Sequence, residues 1–388
     1  MSRTTEFPIE RLREAKTPCY FYDMRLLDDT LAAVRAEVPA SDPAYCVHYA
    51  IKANANPAIL ARIARQGFGA DCVSGGEIKL AVEAGIPAKK VVYAGVGKTD
   101  AEIEYALQIG IGCFNVESEP ELRIINEIAE RMGKVARVAL RVNPNIDAHT
   151  HHYITTGLAE NKFGINLEHL PAIVALFDEL KAVKFDGLHF HIGSQILSME
   201  PYEVLCRRIE QIQEDLENQG VRVRSINVGG GLGIDYDEPD RHPAPDFRAY
   251  FDTFRKNLKL KPWQTLHFEL GRSLVAQCGS LITRVLYVKH GTAKQFAIVD
   301  AGMTELIRPA LYGAYHLIQN LSNRGPRELY DVVGPVCESS DYFGKNVKLS
   351  QARRGDLFAI RSAGAYGEAM ASSYNCRQLQ PAIFSDTE

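Results

Sequence analysis

Between Ala44 and Leu270, eight short apolar, β-rich runs alternate with longer helical patterns. No other feature of the chain narrows its fold as much. A strand followed by a helix returns as a parallel neighbour, so the alternation predicts a parallel sheet covered by helices. The runs fall at 45–50, 69–73, 91–94, 112–116, 135–142, 185–191, 223–228 and 265–270, separated by helical patterns such as 58–66, 77–84, 120–132, 170–180 and 202–219. Eight such units fit a closed (β/α)8 TIM-type barrel better than an open, Rossmann-like sheet. After Gly279 the texture changes to short β-rich runs with turn signals, at 281–289, 295–299, 330–333 and 356–360, which read as a β-domain. The strand-like run 17–22 precedes the first helix and is available to that second sheet. With 388 residues, more than one core normally holds, the expected organisation is α/β in two parts. A barrel spans 25–278, and a discontinuous, mostly β domain is built from 1–24 plus 279–388. Only 385–388 are expected to be disordered.

A barrel keeps its chemistry at the C-terminal ends of its strands. Tyr49-Ala50-Ile51-Lys52-Ala53-Asn54 ends such a strand in a lysine. Desolvation there lowers an ammonium pKa toward the neutral amine that condensation with a carbonyl requires, although a strand-end lysine can equally pair with a carboxylate. Asn227-Val228-Gly229-Gly230-Gly231-Leu232-Gly233 follows a late strand, where glycine backbone can cradle a phosphate or simply turn. His189-Phe190-His191-Ile192-Gly193-Ser194-Gln195 closes another strand, and alternation puts both histidines on one side of it. Phe268-Glu269-Leu270-Gly271-Arg272 sets a carboxylate beside a guanidinium, either as a salt bridge or with separate ligand partners. The β-domain adds Arg308 four residues before Tyr312, Cys337 beside Glu338 after a Gly-Pro turn, and Tyr366 among small residues.

Composition removes several function classes. A formal charge of −4 offers no broad basic surface for nucleic acid, and no apolar run reaches the length of a membrane span. The first six residues lack the apolar core of a secretory signal, so the expected location is the cytoplasm. Eight scattered cysteines without a C-x-x-C pair read as reduced thiols. The cluster His149-Thr150-His151-His152 lacks a carboxylate or cysteine at ligand spacing, so no metal is expected, and its polar loop, 144–164, reads as a lid at the barrel mouth.

Taken together, and in this order, the Lys52, His191 to Gln195, Gly229 to Gly233, Cys337-Glu338-Ser339 and Ala365-Tyr366-Gly367 motifs resemble the pyridoxal 5'-phosphate-dependent decarboxylases with an alanine-racemase-like barrel, in their diaminopimelate branch. The resemblance runs from Thr17-Pro18 to Tyr374-Asn375. It implies that Lys52 carries the cofactor covalently, that His191 stacks on its ring and that Glu269 pairs with the ring nitrogen. Ser194, Gly229, Gly230, Gly231, Gly271, Arg272 and Tyr366 would complete the cofactor site. Arg272, Arg308, Tyr312, Glu338 and Tyr366 would hold the amino-acid substrate. It further implies a homodimer with shared active sites, into which Cys337 and Glu338 reach across the interface.

The implied reaction is decarboxylation of meso-2,6-diaminopimelate to L-lysine and CO2, the last step of lysine biosynthesis. Cys337 is the expected proton donor to Cα, since an ordinary thiol is mostly protonated at neutral pH. The distal end of the substrate carries an ammonium and a carboxylate, which Glu338 and Arg308 would match. Ornithine, arginine and carboxynorspermidine are the alternative substrates on the same scaffold. A racemase is a further alternative, against which Glu269 speaks because a strong electron sink favours decarboxylation. Two positions depart from the family pattern: Leu270 stands where proline is usual, and Ser340 where glycine is usual.

Overall fold

The computed structural model describes residues 5–39, 41–42, 44–146 and 162–387. It divides into two compact units, Leu31–Gly233 with Asp246–Gly271, and Met1–Thr30 with Ile234–Pro245 and Arg272–Glu388. The division moves the expected borders: residues 25–30, 234–245 and 272–278 group with the β unit rather than with the barrel.

In chain order β1 (Cys19–Tyr22) belongs to the β unit, and the barrel begins at β2 (Tyr45–Ala50), β3 (Gly69–Cys72), β4 (Val91–Tyr93), β5 (Cys113–Val116) and β6 (Ala136–Asn143). It continues through β8 (Val183–His189), β9 (Ser225–Asn227) and β10 (Thr265–Leu270), while among the described residues the two-residue β7 (Ile165–Asn166) pairs only with β6. The order β5-β4-β3-β2-β10-β9-β8-β6, with β5 also paired to β6, closes a ring of eight parallel strands. These strands are buried nearly throughout, as expected of a sheet walled by side chains inside and helices outside.

Polar residues after the strands start the helices. Asn56, Ser74 and Ser118 each accept a hydrogen bond from a backbone N–H in the first turn of the helix they precede. Thr99 and Glu102 form a reciprocal capping box on the helix Asp100–Ile109. The helix Phe247–Asn257 locks onto β10 through aromatic edges: Phe251, Phe254 and Tyr250 meet Phe268 at centroid distances of 4.9, 5.2 and 5.8 Å. This packing steadies the strand that carries Glu269.

Several strand ends shift from the sequence expectation, and two of the shifts bear on the candidate motifs. β8 stops at His189, so His191 lies beyond the strand, and β9 stops at Asn227. The backbone stays bonded past both ends, Phe190 N–H to the Asn227 carbonyl at 2.7 Å and Val228 N–H to the His267 carbonyl at 3.0 Å, but the ladder ends where the glycine loop begins. The expected helix at 170–180 divides into Leu170–Ala175 and a tighter turn, Leu176–Asp178.

The β unit contains β11 (Gly279–His290), β12 (Gln295–Val299), β13 (Ile318–Asn320), β14 (Arg327–Val333), β15 (Tyr342–Ser350), β16 (Leu357–Ile360) and β17 (Ile383–Phe384). Its sheet runs β13-β16-β11-β12-β14-β15, with β1 antiparallel to β11 and β17 parallel to β1. The run near residues 17–22 therefore does join the C-terminal sheet. Leu12, Phe21, Ile282, Leu357 and Ala359 form a buried cluster around this junction. β15 was not apparent in the sequence because Lys345, Asn346 and Lys348 interrupt its apolar pattern. The tail is also more ordered than expected: Ser385 N–H donates to the Tyr22 carbonyl at 2.9 Å, and Arg11 donates to the Thr387 carbonyl at 2.6 Å.

Candidate active site

Within the barrel, strand ends gather an unusually polar set of buried groups. Glu269, near the end of β10, is 7% exposed. Its Oε1 accepts hydrogen bonds from Asn115 Nδ2 of β5 at 3.1 Å and Asn227 Nδ2 of β9 at 2.7 Å, and its Oε2 accepts one from His189 Nε2 of β8 at 3.0 Å. The register explains the convergence, since Asn227 pairs with both His189 and His267 in the flanking strands. Burial alone would raise the Glu269 pKa. The charge and hydrogen bond of His189, with Lys52 and His191 nearby, outweigh it and hold the carboxyl well below its usual range. His189 donates through Nε2, and its buried Nδ1 has no partner among the described residues.

Lys52 sits in a single 3₁₀ turn, Ile51–Ala53, directly after β2. Its Nζ lies 3.0 Å from Oδ2 of Asp71 on β3, a fully buried carboxylate whose Oδ1 has no partner among the described residues. Burial, then the nearby charge of Glu269, raises the Asp71 pKa against the opposing pull of Lys52. The two carboxylates are thus pushed in opposite directions. Gly271 packs against this turn: a Cβ there would lie 3.1 Å from the Cβ atoms of both Ala50 and Ala53.

The glycine loop is glycine for steric reasons. Gly229 has φ of +68°, and a Cβ on it would lie 2.4 Å from the Phe190 carbonyl oxygen. A Cβ on Gly230 would lie 2.0 Å from the Glu269 carbonyl oxygen. Gly231 continues the loop, its carbonyl accepting from Ile196 N–H at 2.9 Å. His191 Nδ1 accepts from Gly230 N–H at 3.4 Å, and burial, followed by the charges of Arg141 and Lys52, pushes the imidazole pKa well down. Ser194 follows Gly193 in the adjoining turn, half-buried. Nearby, Arg141 of β6 pairs with Glu117 at 2.9 Å, both almost fully buried.

The β unit holds a polar group of its own. Arg272 opens the helix Arg272–Val275 and Arg308 opens Arg308–Tyr312, whose last residue is the half-buried Tyr312. Arg272 and Arg308 are each 6% exposed, and both donate to the hydroxyl oxygen of Tyr236, at 2.7 and 2.9 Å. Arg308 also donates to His316 Nε2 at 3.0 Å, and Arg272 lies over the ring of Tyr366 at 4.9 Å. Tyr366 holds φ of +56°, in the left-handed region. Two unit charges about 5 Å apart repel by roughly 3 kcal/mol at an effective dielectric near 20, so such a pair favours an anion. Burial, opposed by Tyr236 and reinforced by Arg272, lowers the Arg308 pKa.

Cys337 and Glu338 are exposed, on a loop pinned by the buried Asp341, whose carboxylate accepts from Val336 N–H at 2.7 Å and Met303 N–H at 2.6 Å. Glu338 accepts from Tyr374 OH at 3.0 Å. The structure does not place Glu338 beside Arg308 within the chain: among the described residues no ion pair joins them. Ser340 is absent from the positive-φ residues, so serine replaces the usual glycine without backbone strain, and Leu270 pairs with Tyr49 as an ordinary strand residue. The histidine cluster at 149–152 and most of the expected lid loop lie outside the described residues.

Sequence reading missed Asp71, Asn115, Glu117, Arg141, Tyr236 and His316, and it took Asn227 only as the start of the glycine motif. For several of these a signal existed. Asp71, Asn115 and Arg141 are polar residues inside otherwise apolar strand runs, which a buried partner must explain. Tyr236 and His316 carried no such mark.

A model of the pyridoxal-dependent decarboxylases, that of their pyridoxal binding domain, matches residues 27–276. A diaminopimelate decarboxylase of Bacteroides thetaiotaomicron is 60% identical over 380 residues, 98% of each chain. The crystal structure of diaminopimelate decarboxylase from Helicobacter pylori complexed with L-lysine superposes with a TM-score of 0.90 at 40% identity, covering 97% of this chain and 93% of that one. The lysine/ornithine decarboxylase of Vibrio vulnificus, at 21% identity and a TM-score of 0.84, shares the fold. With a matched domain over more than half its length and a relative this similar end to end, the chain belongs to the pyridoxal-dependent decarboxylases, in the diaminopimelate decarboxylase family.

Proposed function

We propose that the protein is a pyridoxal 5'-phosphate-dependent carboxy-lyase that converts meso-2,6-diaminopimelate to L-lysine and CO2, the last step of lysine biosynthesis. The observation that carries the reading is the buried Glu269 carboxylate, held ionised by three donors in the same barrel as Lys52. The residues fit the cofactor. Lys52 supplies the amine, ionised Glu269 is the acceptor a protonated ring nitrogen needs, and a glycine loop too tight for side chains supplies a cradle for phosphate. Ser194, Gly229, Gly230, Gly231, Gly271, Arg272 and Tyr366 complete that site, and His191 provides a flat face for the ring.

When bound, pyridoxal phosphate supplies the electron sink for the pair left at Cα as CO2 departs. The chain's own residues do the rest. Asp71 accepts from Lys52 Nζ and so orients the amine. His189, Asn115 and Asn227 keep the proton off Glu269. Arg272, Arg308, Tyr312 and Tyr366 hold the substrate, with the two guanidiniums gripping its carboxylate. The Cys337 thiol delivers a proton to Cα, and Glu338 receives the distal ammonium.

Because Cys337 and Glu338 are exposed and, among the described residues, no ion pair joins Glu338 to Arg308, we assign them to the site of a second copy, in a homodimer with shared active sites. Eight free cysteines suit a reducing, cytoplasmic setting. Among the described residues no helix is long and apolar enough to cross a membrane.

The test is CO2 release from cofactor-loaded protein given meso-diaminopimelate, with ornithine, arginine and carboxynorspermidine in parallel. Release from diaminopimelate alone, with stoichiometric L-lysine, is the expected outcome. Release from another substrate instead would overturn the specificity, and Cα–H exchange without CO2 would point to racemisation.

A further inference from the structure

We infer that Tyr236 is a further specificity-determining residue: its hydroxyl, shared by Arg272 and Arg308, presents its own proton to the substrate carboxylate that those guanidiniums hold, and His316 fixes Arg308 in place for it. The inference rests on the proposed reaction and names the group that completes its carboxylate subsite.

A phenolic oxygen has two acceptor directions and one hydrogen. Guanidinium groups only donate, so the bonds of 2.7 Å from Arg272 and 2.9 Å from Arg308 occupy both acceptor directions. The tyrosine's hydrogen therefore points at neither arginine. Tyr236 is 9% exposed, and among the described residues no acceptor meets that hydrogen. The two Nη1 atoms are no farther apart than the two bonds laid end to end, which makes the hydroxyl a spacer between the cations as well as a donor. A carboxylate drawn to the pair meets the hydroxyl hydrogen beside two cationic guanidiniums. An ammonium group finds two like charges and nothing to accept its hydrogens, so a diamine without a distal carboxylate is disfavoured at the same place.

The support around Tyr236 is itself fixed. Arg308 donates to His316 Nε2 at 3.0 Å, which requires a lone pair there and places the imidazole hydrogen on Nδ1, donating to the Arg361 carbonyl at 2.8 Å. The imidazole also packs edge-on against the Tyr236 ring, centroids 5.1 Å apart at 82°. His316 is 1% exposed. It acts as a positioning residue, holding through one ring the guanidinium and the phenol that would touch the ligand.

The test uses the full-length, cofactor-loaded protein carrying Tyr236→Phe, which keeps the ring and its packing but loses the hydroxyl. KM for meso-diaminopimelate should rise about tenfold while kcat stays within about twofold. The thermal shift given by pimelate, the same dicarboxylate skeleton without amines, should shrink in parallel. His316→Leu should raise KM in the same sense, and His316→Gln, which keeps a carbonyl acceptor for Arg308, should restore it. An unchanged KM with an unchanged pimelate shift in Tyr236→Phe, or a loss confined to kcat, overturns the inference. Failure of the wild-type protein to decarboxylate meso-diaminopimelate overturns the proposed reaction separately. The pimelate shift then decides for Tyr236: loss in Tyr236→Phe supports it, and a shift absent from the wild type or retained in the variant overturns it.

Discussion

His316 shows how a single buried side chain ties a binding subsite to stability. Burial, with the adjacent charge of Arg308, lowers its pKa from 6.5 to about 3. Above pH 6.5 the folded and unfolded forms are both neutral and pH has no leverage through this residue. Below 6.5 the unfolded chain binds a proton that the folded one refuses, so unfolding becomes easier by about 1.4 kcal/mol per pH unit until the folded pKa is reached. Urea midpoints at pH 7, 6 and 5 should therefore fall, and His316→Gln should flatten part of that fall. A variant that keeps the wild-type slope would mean that His316 titrates normally in the fold. At this scale the sequence marks Lys52, His191 and Glu269 as candidates, because each belongs to a distinctive motif at or just past a strand end. Asn115, Asn227 and His189 were hidden in their role because a hydrogen-bond cage depends on which strands become neighbours. Tyr236 and His316 are 80 residues apart in the chain, and only folding joins them.

At the scale of elements, the loop at 334–341 shows a short segment made rigid by one carboxylate. Asp341 satisfies the Val336 and Met303 N–H groups, and its backbone carbonyl accepts from Gly334 N–H at 3.0 Å. Asp341→Ala leaves two N–H groups without their acceptor, at about 1–3 kcal/mol each where they stay buried. The expected result is a lower kcat, through a poorly placed Cys337, with the cofactor's visible absorbance retained because Lys52 is untouched. Full turnover in the variant would show that the loop needs no such anchor. The barrel strands were readable because their apolar runs and the helices between them follow different periods, and the two strands at 45–50 and 265–270 match residue for residue. β15 was not readable, since a strand with lysines on its open face carries little apolar pattern. The order of the tail at 385–387 is not legible in the sequence, because it comes from Arg11 and Tyr22, at the opposite end of the chain.

For the molecule as a whole, the decisive question is whether one chain contains a complete site. Lys52 and its carboxylate neighbours belong to the barrel unit, whereas Cys337 and Glu338 stand exposed on the β unit, and among the described residues no ion pair joins Glu338 to Arg308. If they serve a second copy, two inactive variants should rescue each other. In a heterodimer of Lys52→Ala with Cys337→Ala, one site joins both damaged residues and the other joins intact Lys52 of one chain to intact Cys337 of its partner. Random pairing makes about half of the dimers mixed, each with one working site of two, so co-expression should recover about a quarter of wild-type turnover. A site built within one chain predicts no recovery, because every chain then carries a lesion in its own site. The same experiment separates the two residues chemically: homodimers of Lys52→Ala should lack the cofactor's visible absorbance, and those of Cys337→Ala should keep it. Recovery with that spectroscopic split would assign cofactor attachment to one chain and proton delivery to the other.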